Sequence, residues 1–135
     1  MGKVVQPVAE IDIGYGLDAQ GRGVAYARTG SNVLRLSFRI SQPASLADRA
    51  GGYGALVTVA RALLKRGVNR VNFRLPDRQL VDELTKRSQP PDELILANVR
   101  ARCALNALTA CHIEYADCGE LMQRARAEVA LNLAA

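Results

Sequence analysis

Two aspartates in this 135-residue sequence stand where a carboxylate could do chemistry. Asp12 lies between Ile11 and Ile13 in an apolar run, where a carboxylate is costly unless it is paired, solvated or bound to a cation. Asp77 follows the alternating segment from Val71 to Leu75, where it could cap a helix or bind a metal. We predict that both carboxylates lie close together beside adjacent strands. Two such groups could hold one Mg²⁺ or Mn²⁺ weakly, with water completing the shell.

Arginine side chains form a second group of candidate functional residues. Arg35 and Arg39 lie on the outward side of a predicted strand, and Arg74 and Arg78 bracket Asp77. The sequence has 18 Lys and Arg against 13 Asp and Glu, which gives a net charge of +5. Such a balance favours an acidic partner, most often a phosphate backbone. We therefore predict that these four arginines bind nucleic acid, the alternative being a basic face that meets only solvent.

The elements that must position these residues begin with the stretch from Ala50 to Leu84. Apolar residues recur at helical spacing between Tyr53 and Leu64, which predicts a helix that ends near Gly67. The alternation from Val71 to Leu75 predicts a strand with one buried face. Asp77 then begins a second helix. Such a unit must pack against a further sheet to bury its apolar side.

The remaining chain adds strands before this unit and a helix, a strand and a helix after it. The first three strands are predicted to form an antiparallel meander, and the whole chain an α/β protein with a mixed sheet. The predicted strands are Val4 to Tyr15, Val24 to Thr29, Leu34 to Ile40 and Cys111 to Tyr115. A third helix is predicted from Asp92 to about Leu108, with Ile95, Val99, Cys103 and Ala107 along its apolar side, and a last helix from Gly119 to Leu133.

Length and composition narrow the class of protein. We expect residues 1–135 to form one domain. No apolar run approaches the roughly 20 residues that span a bilayer, and the first residues lack the core of a secretory signal. The chain is therefore expected in the cytoplasm. Three cysteines without a C-x-x-C pair, Cys103, Cys111 and Cys118, predict reduced thiols.

Four motifs and the order of elements resemble the ribonuclease H family over nearly the whole chain. Asp12 stands at the place of the family's first-strand aspartate, and Gly21 to Gly23 follows at about the distance of its glycine pair. The segment from Gly52 to Leu56 looks like the family's Glu-Tyr-x-Ala-Leu, and Asp77 to Val81 looks like its Asp-Ser-x-Leu-Val. The last helix, Glu120 to Leu131, is similar to the family's alanine-rich ending. The resemblance implies a five-stranded mixed sheet of the ribonuclease H fold.

The resemblance also implies a chemistry, from which this sequence departs. Family members cut the RNA strand of RNA/DNA hybrids with four acids that hold two divalent metals. Asp12 and Asp77 match two of these acids, but Gly52 stands at the place of the helix glutamate and the last acid falls near Arg124 or Ala125. Candidate replacements, each requiring a shifted register, are Asp48 for the first missing acid and Asp117 or Glu120 for the second. His112 is predicted to lie within the fifth strand, without the family's proton-transfer role.

Three hypotheses for the function follow. In the first, the chain is a ribonuclease H-like protein that binds hybrid or duplex nucleic acid, with an incomplete metal site and weak or absent cleavage. In the second, the fold is a non-catalytic scaffold or oligomerisation module. In the third, surrogate acids complete an active metal-dependent ribonuclease. The sequence leaves open whether the chain forms a homodimer.

Overall fold

The structure, a computed structural model, describes residues 7–41 and 46–134, with side chains as far as residue 131. The predicted beginning of the first strand, at residues 4–6, and residues 42–45 of the predicted loop lie outside this part. The strands are β1 (Ala9–Leu17), β2 (Arg22–Thr29), β3 (Asn32–Arg39), β4 (Arg70–Leu75) and β5 (Ala110–Tyr115). The helices are α1 (Ala47–Lys65), α2 (Arg78–Leu84), α3 (Ile95–Asn106) and α4 (Gly119–Ala134), with a 3₁₀ turn at Asp92–Leu94.

The five strands form one mixed sheet in the order β3-β2-β1-β4-β5. β1, β2 and β3 pair antiparallel, whereas β4 is parallel to β1 and β5 is parallel to β4. The carboxyl ends of β1 and β4 therefore lie at the same end of the sheet. This arrangement confirms the predicted meander and mixed sheet.

Helices cover both faces of the sheet. β1 turns Ile11, Ile13 and Tyr15 toward the main core, which includes buried residues of α1, α2 and α3. α4 packs on the other face, where Leu121 and Ala125 meet β2. None of the described helices is long and apolar enough to cross a membrane.

Gly14 allows α4 to lie close to the sheet. A Cβ atom at this position would come within 2.4 Å of the backbone carbonyl carbon of Leu121. No ordinary side chain fits that space, and a Cβ at Gly16 would likewise come within 3.0 Å of the Ala125 backbone, so the helix requires glycine at these positions.

A buried polar network joins α1, α2 and α3. Glu83, which is 5% exposed, accepts a hydrogen bond of 2.6 Å from the Tyr53 hydroxyl and forms an ion pair with Arg49. Asn98 donates to the same hydroxyl oxygen at 3.0 Å. Each helix therefore contributes a polar group to one site inside the apolar layer, and each group finds a partner there.

The predicted apolar side of α3 was wrong. Ile95 and Val99 are 47% and 46% exposed, and Cys103 is also exposed. The helix instead buries the side that holds Asn98, Ala101 and Leu105, together with Leu94 of the preceding turn. The reason is the polar network: because Asn98 has a buried partner, a side containing an amide can face the core.

The starts of α2 and α3 differ from one another. Asp77 caps α2, since its Oδ1 accepts hydrogen bonds from the backbone N–H groups of Gln79 at 2.9 Å and Leu80 at 3.2 Å. The predicted cap of the third helix was wrong. Asp92 makes no capping hydrogen bond and instead lies in the 3₁₀ turn that follows Pro91.

Candidate functional site

The Asp12 carboxylate lies in a row of alternating charges that crosses four strands. Asp12 is in register with Arg28 on β2 and with Arg74 on β4, and Arg74 is in register with Glu114 on β5. The charged atoms of Asp12 lie 3.6 Å from Arg28 and 3.5 Å from Arg74. Arg74 also lies 3.5 Å from Glu114. The row explains why a carboxylate is tolerated between two isoleucines: it is paired with two guanidinium groups.

The structure does not place Asp12 and Asp77 at the same level of the sheet. The β4 partner of Asp12 is Arg74, and Asp77 comes three residues later. A strand advances about 3.3 Å per residue, so Asp77 begins about 10 Å beyond the level of Asp12. The pairing of β1 with β4 ends at Asp12 and Arg74, and it is Tyr15, three residues further along β1, whose hydroxyl pKa is raised by burial and by the charge of Asp77. The Asp77 Oδ1 also accepts the two capping hydrogen bonds of α2.

Tyr15 occupies the space above Gly52. A Cβ atom built on Gly52 would lie 2.9 Å from the Tyr15 hydroxyl oxygen and 3.0 Å from a methyl group of Leu80. Burial raises the pKa of the Tyr15 hydroxyl, and the charges of Asp77 and Asp48 raise it further. The Tyr15 hydroxyl thus lies near the carboxylates of Asp77 and Asp48. It occupies the space into which a longer side chain at position 52 would extend. Sequence reasoning missed Tyr15, although its spacing from Ile11 and Ile13 put it on the buried side of β1.

The three candidate replacement acids have different surroundings. Asp48 is exposed at the first turn of α1. Asp117 accepts a hydrogen bond of 2.9 Å from the backbone N–H of Gly119 at the start of α4. Glu120 lies 3.3 Å from Arg28 and extends the row of charges onto α4. His112 lies within β5, as predicted, and is exposed.

The donor set does not fit a two-metal centre. Among the described residues, no three or more side chains of His, Cys, Asp or Glu come together as a metal site. Asp12 is flanked by two arginines, which repel a divalent cation. Gly52 supplies no ligand, and the space for one is filled by Tyr15 and Leu80.

The four predicted nucleic-acid-binding arginines fall into two kinds. Arg35 and Arg74 are neutralised locally: Arg35 holds Glu128 through both its Nε and Nη2 atoms, and Arg74 pairs with Asp12 and Glu114. Arg39 and Arg78 are exposed and have no acidic partner among the described residues.

Arg39 and Arg78 lie on opposite sides of the same end of the sheet. Arg39 ends β3 and lines an open pocket of about 510 Å³ together with Arg22 and Arg35. Arg78 begins α2, and its guanidinium carbon lies 4.0 Å from the centre of the Tyr115 ring. This stacking orients the side chain without neutralising its charge.

Solved structures share this architecture. No protein-family model matches the sequence, and no curated protein matches it. Ribonuclease H1 from Halobacterium salinarum superposes with a TM-score of 0.75 at 16% identity, over 93% of this chain and 99% of that one. The N-terminal ribonuclease H domain of a Mycobacterium tuberculosis protein gives 0.68 at 13% identity, over 94% and 99%.

A third structure, the compost-derived LC11 ribonuclease H1 in complex with an RNA/DNA hybrid, gives a TM-score of 0.63 at 10% identity. The superposition covers 93% of this chain and 99% of that one. The strand order, the mixed pairing and these superpositions agree, and the chain has the ribonuclease H fold.

Proposed function

We propose that this chain is a nucleic-acid-binding protein of ribonuclease H fold that binds RNA/DNA hybrid or duplex and cleaves it weakly or not at all. The observation that carries the proposal is that the acids of a two-metal centre are paired or absent around β1 and β4, while arginine side chains remain exposed nearby. Asp12 is paired with two arginines, and Tyr15 fills the space above Gly52. Exposed Arg39 and Arg78, which have no acidic partner among the described residues, keep positive charge at the end of the sheet where β1 and β4 end.

Binding by this surface relies on phosphate contacts rather than on reading bases. Arginine guanidinium groups bind phosphate oxygens in a bidentate manner, and such contacts position a duplex without selecting its sequence. Aromatic residues make up 4% of the chain, and Tyr26 and Tyr53 are buried, so stacking platforms for single strands are poorly represented. The hybrid bound by LC11 ribonuclease H1 makes a hybrid the first ligand to test.

The test is equilibrium binding of a labelled RNA/DNA hybrid at several salt concentrations, together with a cleavage assay in Mg²⁺ and in Mn²⁺. We expect affinity to fall steeply with salt, because released counterions drive phosphate binding, and we expect little or no cleavage. A salt-independent absence of binding to hybrid and duplex would contradict the proposal.

Cleavage has its own control. If the hybrid is cut and Asp12→Asn abolishes the cut, the chain is an active metal-dependent ribonuclease and surrogate acids complete its site. Asp12 and Asp77 do not share a level of the sheet, which disfavours a single Mg²⁺ or Mn²⁺ held by both. If the cut persists in Asp12→Asn, the activity comes from another site or from a contaminating enzyme.

A non-catalytic scaffold or oligomerisation module is the second candidate function. The exposed apolar side of α3 favours it, because a helix side that carries Ile95 and Val99 usually meets another surface. The two functions are compatible, since α3 belongs to the helical layer opposite α4.

A further inference from the structure

Helix α3 exposes three large apolar side chains while it buries an amide. The inward side of the helix contains the amide of Asn98, whereas Ile95, Leu96 and Val99 on the outward side are 47%, 59% and 46% exposed. A surface helix normally shows the opposite arrangement, with polar residues outward. These three outward side chains are neighbours at helical spacing, and exposed Cys103 continues the line by one turn. We call Ile95, Leu96, Val99 and Cys103 the α3 stripe.

We propose that the α3 stripe is the contact surface of a homodimer in which the α3 helices of two copies pack antiparallel. A helix that is apolar on its outward side as well as inside is typical of a helix that is covered on both sides. Burying the stripe against an identical stripe removes the apolar side chains of both copies from water. This inference is independent of nucleic-acid binding and goes beyond it.

The charges beside the stripe indicate that its partner is a second copy of this chain and that the two α3 helices run antiparallel. Exposed Asp92 and Glu93 lie in the 3₁₀ turn just before α3, and exposed Arg100 and Arg102 lie further along the helix, so the stripe is acidic at one end and basic at the other. In an antiparallel pair of identical helices, matching flanks face each other with their ends reversed. Glu93 of one copy then faces Arg100 of the other, twice per dimer. A parallel pair would instead bring the two acidic ends together and the two basic ends together.

The size of the stripe sets the expected strength of the dimer. Stable interfaces usually bury about 1,200–2,000 Å² in total, with an apolar centre and a polar rim. Three partly exposed apolar side chains per copy form only the centre of such an interface, and Glu93 and Arg100 belong to its rim. We therefore expect a reversible dimer whose population depends on protein concentration.

The experiment is sedimentation equilibrium of the full chain over a wide concentration range, without nucleic acid. Val99→Asp should weaken self-association about tenfold or more, because the new carboxylate would be buried without a partner. Val33→Asp is the matched control, since Val33 is 41% exposed on the edge strand β3 and lies outside the stripe. Urea unfolding of each variant confirms that both remain folded at the concentrations compared.

Charge reversal tests the antiparallel direction. Glu93→Arg and Arg100→Glu should each weaken the dimer, because each puts like charges opposite each other, and the double variant should recover most of the lost affinity. Three results would each overturn the proposal: a monomer at every concentration, a dimer that Val99→Asp does not weaken, or a double variant that stays as weak as the single ones.

Discussion

Gly52 and Tyr15 show how one small residue can decide which side chain fills a site. The Cβ that glycine lacks would meet the Tyr15 hydroxyl at 2.9 Å and Leu80 at 3.0 Å. We predict that Gly52→Ala destabilises the fold by about 1 kcal/mol. The steric cost outweighs the roughly 0.5–1 kcal/mol that alanine normally gains over glycine inside a helix. Urea unfolding of the wild type and the variant measures the difference.

The control for this prediction is the same change in a Tyr15→Phe background. Removing the hydroxyl relieves the tightest contact, so Gly52→Ala should cost less there, and the two changes should couple. Equal costs in both backgrounds would show that the hydroxyl does not limit the space above position 52.

Glu128 provides a test by pH. Hydrogen bonds from Arg35 hold the pKa of Glu128 below its ordinary value, although burial opposes this, and the Tyr26 hydroxyl lowers it further. A carboxyl whose pKa is lowered by folding stabilises the fold above its unfolded pKa, about 4.3. That contribution is lost as the pH falls through the lower pKa of the folded state.

We therefore predict that Glu128→Gln destabilises the protein near pH 7 and that the difference from wild type shrinks near pH 3. Urea unfolding at both pH values gives the two differences. Arg35→Gln removes the same interaction from the other side, so it should show the same pH dependence. A variant equally destabilised at both pH values would mean that the pair does not contribute through its charge.

At the scale of helices and strands, the Glu83 network is what connects α1, α2 and α3. Glu83→Gln keeps a group that can accept from Tyr53 but removes the charge opposite Arg49, which is 23% exposed. We predict a loss of about 1–3 kcal/mol, because a largely buried guanidinium is left without its counter-charge. Asp82→Asn, one position earlier on the same helix and only partly buried, should cost much less in the same unfolding assay. Comparable losses in both would show that Arg49 does not need the charge of Glu83.

The elements predicted best are those whose apolar pattern is decided by burial on a single face. The alternation of Val71, Phe73 and Leu75 predicted β4 nearly to its ends, since each apolar residue is buried and its neighbours are not. The pattern of α3 misled because apolar residues lie on both its outward and its inward side. No local signal in the sequence shows that Asn98 would find a buried hydroxyl 45 residues earlier in the chain.

The site was harder to predict than the fold, because it depends on the register in which neighbouring strands pair. The sequence places Asp12 in one strand and Asp77 after another, but it does not state which residues of the two strands stand side by side. The register of Asp12 with Arg74 decides that point. The pairing of Asp12 with Arg28 is easier to predict from the sequence, because the turn near Gly21 fixes the register of β1 with β2.

At the scale of the whole molecule, basic side chains collect at both ends of the sheet. Arg39 and Arg78 lie at the end where β1 and β4 finish. Arg61, Lys65 and Arg66 lie toward the other end, where α1 finishes and β4 begins. A net charge of +5 alone would attract nucleic acid to either end. The proposed function requires the first end, where the ribonuclease H fold brings together β1, β4 and the start of α1.

Single arginine variants separate these two ends. We predict that Arg39→Ala and Arg78→Ala each weaken hybrid binding several-fold and reduce the slope of log affinity against log salt by up to about one, as the loss of one phosphate contact requires. Arg61→Ala removes the same charge from the exposed surface of α1 and is the matched control, with a much smaller effect expected. Fluorescence anisotropy with one labelled hybrid at several salt concentrations gives all the slopes. Equal losses in the three variants would mean that net charge, rather than an interface at Arg39 and Arg78, holds the nucleic acid.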